Sequence, residues 1–257
     1  MAANPRFDLT GRVVIVTGGG KGIGKVYAKE LAAVGAKVVT ADIDGEAAEA
    51  VAAEINAAGG EALGMRVDVA DEASTQDMAQ ATLKRFGTID VLINNASLMS
   101  VLQRRSWMEI PVDEWDRVMA VNLRGIFLCC KAVFPTMREK KYGKIVNISS
   151  SRFWEGAPNR LHYTTSKAGV IGLTRALSKE VGEHGVTVNA ITPGYTLSET
   201  QQATSSGNYL AVHSQGRAMG REQYPEDLVG AVMFLSSAAS DYMTGQTVNV
   251  DGGKSMH

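Results

Sequence analysis

A glycine-rich turn between a predicted strand and a predicted helix constrains the fold of this chain more than any other feature. Residues 12–17, RVVIVT, form a short apolar run rich in β-branched side chains, which is typical of a buried strand. The next segment, TGGGKGIG, places Gly18, Gly22 and Gly24 at the spacing G-x-x-x-G-x-G, ahead of an amphipathic helix over residues 23–34. Glycines let the backbone approach a pyrophosphate, and a helix N-terminus offers free N–H groups. The pattern predicts the start of a dinucleotide-binding βαβ unit, although its spacing differs from the common G-x-G-x-x-G.

An acidic residue at the end of the second predicted strand indicates which dinucleotide binds. The strand covers residues 37–41, and Asp42 lies 42 − 24 = 18 residues after Gly24. An acid about 20 residues after the glycines bonds the ribose 2′-hydroxyl of NAD, and it would repel the 2′-phosphate of NADP. Two alternatives stay open: Asp42 could cap the helix predicted over residues 45–58, and Lys21 could meet a 2′-phosphate and allow residual NADP use. Because Asp42 lies at the end of the strand itself, we predict that NAD rather than NADP is the cofactor.

Strands and helices alternate along the rest of the chain. The further predicted strands cover residues 62–67, 89–93, 144–149, 187–191 and 246–250, and the further predicted helices cover residues 72–86, 112–140, 161–183 and 225–236. The run VLIN is apolar without alternation, which suits a parallel strand buried on both faces. The alternation predicts an α/β fold with a single domain over residues 1–257. We expect a doubly wound, Rossmann-type parallel sheet of about seven strands with helices on both faces.

A second stretch, SSRFWEGAPNRLHYTTSK at residues 150–167, carries the residues expected to do chemistry. Tyr163 and Lys167 are four residues apart, so on a helix they lie on one face, one turn from each other. An ammonium group beside a phenol lowers the phenol pKa from about 10, as a general acid/base working near neutral pH requires. Ser150 follows a predicted buried strand, so its hydroxyl can bind a substrate oxygen at the same point. Taken alone, a Tyr-x-x-x-Lys pair is more often an exposed cation–aromatic contact.

Charge and cysteine content argue against several other classes of protein. A net charge of −1 gives no electrostatic reason to bind nucleic acid or an anionic membrane. The adjacent Cys129 and Cys130 predict neither a disulfide nor a metal site, and they fit a reducing cytoplasm. The N-terminal residues lack the pattern of a secretory signal, and no apolar stretch reaches the length of about 18 residues that a membrane span needs. We expect a cytoplasmic protein without metal, nucleic-acid or membrane partners.

In this order, the motifs resemble those of a classical short-chain dehydrogenase/reductase. The likeness covers nearly the whole chain, from TGGGKGIG to the terminal GQTVNVDGG, but Ser97 replaces the last glycine of the family's N-N-A-G element. The resemblance implies an enzyme that interconverts a secondary alcohol and a ketone by hydride transfer with NAD, and a homotetramer. It implies the catalytic residues Asn122, Ser150, Tyr163 and Lys167. It implies the cofactor-binding residues Thr17, Gly18, Lys21, Gly22, Ile23, Gly24, Asp42, Ile43, Asp68, Val69, Asn95, Ala96, Tyr163, Lys167, Pro193, Gly194, Thr196 and Ser198.

The resemblance also assigns a role to each catalytic residue. Tyr163, as a phenolate, takes the alcohol proton, and Ser150 stabilises the developing carbonyl oxygen. Lys167 lowers the Tyr163 pKa and binds the nicotinamide ribose. Asn122 supports a water that relays protons from Lys167 to solvent, or it satisfies its polar groups in a bent helix, and the two roles are compatible.

Two stretches, residues 151–160 and 195–217, are expected to line the substrate pocket. The candidate substrate residues are Ser97, Leu98, Arg152, Phe153, Trp154, Tyr195, Tyr209 and His213. Because several of these side chains are apolar or aromatic, they predict a hydrophobic or aromatic alcohol or ketone. Two alternatives stay open: Phe153 and Trp154 could pack in a subunit interface, and Arg152 could pair with an acidic substrate.

Three functions compete at this point. The first is an NAD-dependent dehydrogenase of a hydrophobic secondary alcohol, and the second is a reductase of a polar carbonyl in a sugar, a polyol or a 3-oxoacyl thioester. The third is a nucleotide-sensing protein without turnover, which the complete catalytic set argues against. The polar, glycine-punctuated residues 195–220 are predicted to form a mobile lid over the substrate. His162 and His213 are predicted to be polar surface residues rather than proton donors.

Overall fold

The computed structural model describes residues 5–202 and 215–256, and a parallel sheet of seven strands lies at its centre. The strands are β1 (Val13–Thr17), β2 (Lys37–Asp42), β3 (Glu61–Arg66), β4 (Val91–Asn94), β5 (Gly143–Ile148), β6 (Val186–Pro193) and β7 (Thr247–Val250). They are ordered β3-β2-β1-β4-β5-β6-β7, and every neighbouring pair is parallel. The predicted doubly wound α/β fold is confirmed.

Helices cover both faces of this sheet. They are α1 (Gly22–Ala33), α2 (Gly45–Ala57), α3 (Glu72–Phe86), α4 (Val112–Met119), α5 (Gly125–Glu139), α6 (Arg152–Glu155), α7 (Leu161–Val181), α8 (Glu199–Gln202) and α9 (Glu226–Ser236). Short 3₁₀ turns lie at Pro5–Phe7, Trp107–Glu109, Gly182–His184 and Ala238–Ser240. The sequence did not predict α6 or α8, because helices of one turn carry no hydrophobic periodicity.

Alternate side chains of the central strands supply two hydrophobic cores, one on each face. In β1, Val14 and Val16 pack in the same core as Val232 of α9. Ile15 belongs to the opposite core, with Val133 of α5. Successive side chains of a strand point to opposite faces, so an unbroken apolar run is buried only when helices cover both.

A π-helical turn, Ala120–Arg124, interrupts the helix that the sequence predicted over residues 112–140. Asn122 lies in this turn and is 0% exposed. Its Oδ1 accepts a hydrogen bond from the Leu98 amide at 2.7 Å, and its Nδ2 donates to the Leu98 carbonyl oxygen at 3.2 Å. The bend thereby anchors the loop that follows β4. Single π turns inside α-helices often lie at functional sites.

Among the described residues, one helical stretch, Val112–Glu139, has the length and apolar composition that a membrane-spanning helix needs. Its most apolar window has a mean hydropathy of 1.5, and 44% of that window is buried inside the protein. Cys129, Val133 and Met137 in this stretch pack against the sheet. Core helices of globular proteins pass the same test, and this helix packs as one of them.

The strand order places a crevice at the carboxyl ends of β1 and β4. The chain continues from β1 to β2 and β3 on one side, and then crosses to β4 and the remaining strands on the other. The loops that follow β1 and β4 therefore separate above the sheet. Ligands of doubly wound proteins bind at such a reversal.

We expect Gly24→Ala to destabilise the turn after β1. A Cβ atom on Gly24 would lie 2.0 Å from the carbonyl oxygen of Gly18 and 2.5 Å from Nδ2 of Asn95, so the backbone of the turn would have to shift. The free energy of unfolding should fall by about 2 kcal/mol or more, which lowers the Tm by roughly 4–8 °C in thermal unfolding. Gly172→Ala in α7 is the control, because nothing lies within 4 Å of its Cβ position. Equal Tm values for the two variants would contradict the expected crowding.

Candidate active site

Ser150, Tyr163 and Lys167 meet where β5 ends against α7. Ser149 Oγ donates to the Lys167 carbonyl oxygen at 2.7 Å, which ties the end of the strand to the helix. Ser150 follows directly, and its hydroxyl is hydrogen-bonded to the Tyr163 phenol. Lys167 Nζ lies 5.8 Å from the centre of the Tyr163 ring, one helical turn away. The three side chains that the sequence singled out are therefore neighbours in space.

Apolar side chains hold the ring of Tyr163 in position. It packs with Leu102 and Val118, and Leu98 and Met99 cover the same cluster. Tyr163 keeps only 8% of its surface exposed. Since rotamers are restricted in such a packed cluster, the phenol oxygen is presented to the Ser150 hydroxyl in one orientation.

Burial dominates the electrostatics of this cluster. Burial raises the pKa of Tyr163 above its ordinary value, whereas the Ser150 hydrogen bond and the nearby guanidinium groups of Arg152 and Arg160 lower it. Burial also lowers the pKa of Lys167 to about 7. The expected lowering of the Tyr163 pKa by Lys167 is not found here. Lys167 Nζ instead donates to the Ile148 carbonyl oxygen at 2.8 Å, and burial disfavours its charge.

A cavity of about 720 Å³ runs along the carboxyl edge of the sheet, from Asp42 to Tyr163 and Lys167. Tyr163 and Lys167 line it, and so do most of the other predicted cofactor residues. These are Gly18, Lys21, Gly22, Ile23, Asp42, Ile43, Asp68, Val69, Asn95, Ala96, Pro193, Gly194, Thr196 and Ser198. The crevice expected from the strand order thus contains these residues along one continuous wall.

Thr17 and Gly24 were predicted to bind the cofactor, but they lie behind the wall of this cavity. Thr17 Oγ1 donates to the Ile93 carbonyl oxygen at 3.3 Å and accepts from the Asn95 and Ala96 amides at 3.0 and 3.1 Å. Gly24 is buried against Gly18. The two residues shape the loops that carry the lining residues, because a hydroxyl and a missing Cβ allow the loops after β1 and β4 to approach closely.

The substrate end of the cavity differs from the sequence-based prediction. Ser97, Leu98, Arg152 and Tyr195 line it, as predicted. Glu155 and Arg160, within the stretch 151–160 that was expected to line the pocket, and Met99, which follows Leu98 after β4, also line it. The structure adds three lining residues that the sequence had not indicated: Ser100, Val101 and Arg117. Tyr209, His213 and the rest of residues 203–214 in the predicted lid lie outside the described residues.

Phe153 and Trp154, which the sequence predicted to line the pocket, are not among the described residues that line this cavity. Their rings contact each other with centroids 4.5 Å apart, and Trp154 Nε1 donates to Thr192 Oγ1 at 3.4 Å. In the single turn α6, Arg152 and Glu155 are three residues apart and share the face that lines the cavity. The two aromatic residues between them are therefore directed elsewhere.

Comparison with known proteins decides the family. A family model described as enoyl-(acyl carrier protein) reductase matches residues 18–255. The chain is 40% identical over 250 residues to the 3-oxoacyl-[acyl-carrier-protein] reductase of Synechocystis sp., covering 96% of this chain and 98% of that one. It is 37% identical over 247 residues to a (2S)-[(R)-hydroxy(phenyl)methyl]succinyl-CoA dehydrogenase subunit of Thauera aromatica, covering 95% and 97%.

The chain belongs to the short-chain dehydrogenase/reductase family.

A solved structure agrees with this assignment. It is of a protein assigned as an NAD(P)-dependent gluconate 5-dehydrogenase from Beutenbergia cavernae, with NADP bound at low occupancy. It matches with a TM-score of 0.89 and 35% identity over 97% of this chain and 98% of that one. This short-chain dehydrogenase/reductase is therefore an oxidoreductase of a family that uses a nicotinamide cofactor.

The lining of the cavity fits a nicotinamide dinucleotide. At one end Asp42 offers a carboxylate to a ribose diol. In the middle, the amide of Gly22 at the start of α1 already donates to an anionic oxygen, Glu199 Oε1, at 3.2 Å. At the far end lie the Ser150 and Tyr163 hydroxyls. When bound, the nicotinamide ring accepts or donates a hydride. The Tyr163 phenol can exchange a proton with the substrate oxygen, and the Ser150 hydroxyl can donate a hydrogen bond to it.

His162 is not the surface residue that the sequence predicted. It is 0% exposed, and its Nε2 lies 3.1 Å from Glu114 Oε1 of α4. Glu114 also pairs with Arg105 at 3.4 Å. This pairing joins the residue before Tyr163 to the loop after β4. A partner so distant in the sequence leaves no local signal of burial.

We expect the stability of Lys167→Met relative to the wild type to increase as the pH falls. The pKa of Lys167 is about 7 in the native protein, whereas an unfolded lysine titrates near pH ~10.4. Between these values the unfolded chain binds a proton that the native protein lacks, so the stability of the wild type rises with pH. Denaturant unfolding should show the largest advantage of the variant at about pH 6 and a smaller one at about pH 9. Lys179→Met, at an exposed position of α7, should show no such trend.

Proposed function

We propose that this protein is an NAD-dependent dehydrogenase that interconverts a secondary alcohol and a ketone on a polar substrate. One observation carries the proposal: Ser150 and the buried Tyr163 and Lys167 lie at one end of a cavity whose other end is formed by Asp42. That spacing suits an extended dinucleotide with its reactive ring beside the phenol. The cytoplasmic location and the homotetramer, which the family resemblance implied, stay predictions.

The choice of NAD rests on the charges at the ribose end of the cavity. Asp42 accepts hydrogen bonds from the Gly20 amide at 3.0 Å and the Asp44 amide at 3.1 Å, which orient its carboxylate. The alternative role of Asp42 as a helix cap is filled by Asp44, which accepts from the Ala47 amide at 3.1 Å. Lys21, the residue that favoured NADP, pairs with Asp44 at 2.6 Å. A 2′-phosphate would therefore approach two carboxylates, and the lysine that lines this end of the cavity is already paired with one of them.

We expect Asp42→Ala to shift the cofactor preference toward NADP⁺. The variant removes the repulsion of a 2′-phosphate and the acceptor for the 2′-hydroxyl, so the ratio of kcat/KM for NAD⁺ over NADP⁺ should fall by about tenfold or more. Lys21→Ala should leave the preference of the wild type nearly unchanged. Asp77→Asn, an exposed acid on α3, controls for net charge. A wild-type preference for NADP⁺ would overturn the role of Asp42.

The polar substrate follows from what lines the catalytic end of the cavity. Phe153 and Trp154, on which the aromatic preference rested, do not contribute to it, whereas Arg152 and Arg160 do. Both guanidinium groups lower the Tyr163 pKa, so both act on the reacting oxygen. Several relatives support the same class, since they are named for gluconate, D-threitol and a 3-oxoacyl group on acyl carrier protein. Another is named for a succinyl-CoA thioester that carries a hydroxy(phenyl)methyl group, which is an aryl alcohol. We therefore favour a polar substrate, a sugar acid, polyol or 3-oxoacyl thioester, over a hydrophobic alcohol.

A panel of substrates with NAD⁺ or NADH tests this proposal. Sugar acids, polyols or 3-oxoacyl thioesters should be turned over with kcat/KM at least about tenfold above that of 1-phenylethanol or acetophenone. Tyr163→Phe should lower kcat about 10²–10⁴-fold while NADH binding, followed by its fluorescence, persists. A preference for the aryl pair would restore the aromatic alternative. A protein that turns over nothing on the panel, and whose Tyr163→Phe variant behaves as the wild type, would be a nucleotide sensor.

A further inference from the structure

An acidic side chain of the chain itself lies at the anion-binding end of α1. Glu199 is the first residue of α8, which follows β6 and the segment that lines the catalytic end of the cavity. Its Oε1 accepts a hydrogen bond from the Gly22 amide at 3.2 Å. Gly22 is the first residue of α1, where free N–H groups and the helix dipole favour an anion. The carboxylate thus uses a donor that a pyrophosphate would need.

The residues on either side of Glu199 also lie against this turn. A Cβ atom on Gly22 would be 3.1 Å from Thr200 Oγ1 and 3.5 Å from Ser198 Oγ. Gly22 itself has a φ of +56°, which suits glycine. Ser198, Glu199 and Thr200 therefore contact the glycine-rich turn as a unit. Lys21 responds to the same carboxylate, since its raised pKa includes a contribution from Glu199 after those of Asp44 and Asp42.

A pyrophosphate and the Glu199 carboxylate cannot share the Gly22 amide. One N–H donor serves one strong acceptor, and two anions within hydrogen-bond distance of one donor repel each other. Lys21, the residue before Gly22, is paired with Asp44 at 2.6 Å and leaves the repulsion in place. One of the two anions has to move, and only the side chain can do so without leaving the site.

We propose that Glu199 is an internal competitor for the cofactor pyrophosphate, and that dinucleotide binding releases it from Gly22. The affinity for the dinucleotide is then set partly by the strength of this contact. Because Glu199 directly follows Ser198 and lies three residues after Thr196, its release also rearranges the segment beside the substrate end of the cavity. The proposal rests on the nicotinamide cofactor of the family and does not depend on whether that cofactor is NAD or NADP.

Binding of ADP and of adenosine to Glu199 variants tests the proposal without turnover. In Glu199→Gln the charge is lost but an acceptor remains, and in Glu199→Ala both are lost. We expect calorimetry to show that ADP and NAD⁺ bind Glu199→Gln about five- to tenfold more tightly than they bind the wild type. Glu199→Ala should bind them at least as tightly as Glu199→Gln does. Adenosine, which lacks phosphate, should bind all three proteins equally. Glu30→Gln, an exposed acid on α1, should reproduce the wild-type values and so control for net charge.

Any other pattern of binding overturns the proposal. Unchanged or weaker ADP binding in both variants would show that Glu199 does not compete with phosphate. Equal tightening for adenosine and ADP would show a general change in the cavity instead. A substrate panel without activity would contradict the proposed function but leave these binding results standing. Failure of every protein, including the wild type, to bind ADP would contradict the cofactor site as well as the competitor.

Discussion

Two hydrogen bonds between the end of β5 and Lys167 hold the reactive part of this molecule together. Ser149 Oγ donates to the Lys167 carbonyl oxygen at 2.7 Å, and Lys167 Nζ donates to the Ile148 carbonyl oxygen at 2.8 Å. A side chain at the end of the strand therefore bonds the backbone of the helix, and a side chain of the helix bonds the backbone of the strand. Both contacts are buried, so water does not replace either partner, and losing one would leave a buried polar group unsatisfied. The positions of Ser150 and Tyr163, which flank these contacts, follow from them.

The charges along the cavity divide it into two parts with different preferences. At the ribose end, Asp42 and Asp44 outnumber Lys21 and disfavour further negative charge. At the catalytic end, Arg152 and Arg160 stabilise negative charge on the Tyr163 oxygen. Between them, the start of α1 binds an anion: the Gly22 amide donates a hydrogen bond to the carboxylate of Glu199. A dinucleotide with a central pyrophosphate and a neutral ribose diol fits this distribution.

The fold could be predicted almost completely because its signals are local. Unbroken apolar runs such as VVIVT identified strands buried on both faces, and helical periodicity between them implied the parallel sheet. A bent helix was one of the two roles considered for Asn122, but the π turn itself, Ala120–Arg124, could not be predicted, since the helical pattern continues across it. Within that turn, Asn122 is hydrogen-bonded to the Leu98 backbone, 24 residues away. The burial of His162 depends in the same way on Glu114 of another helix.

Spacing along the chain determined which residues could act together: the glycines before α1, Asp42 at the end of β2, and Tyr163 one turn from Lys167. These relations are set by the geometry of one strand or one helix, which neighbouring residues decide. Only the tertiary structure decided which side chains line the cavity, turning Phe153 and Trp154 away from it and placing Glu199 at Gly22. Such contacts join segments up to 177 residues apart, so the packing of whole elements decides them. The same packing reversed the expected direction of the Tyr163 pKa shift, because burial raises that pKa by more than Ser150, Arg152 and Arg160 lower it.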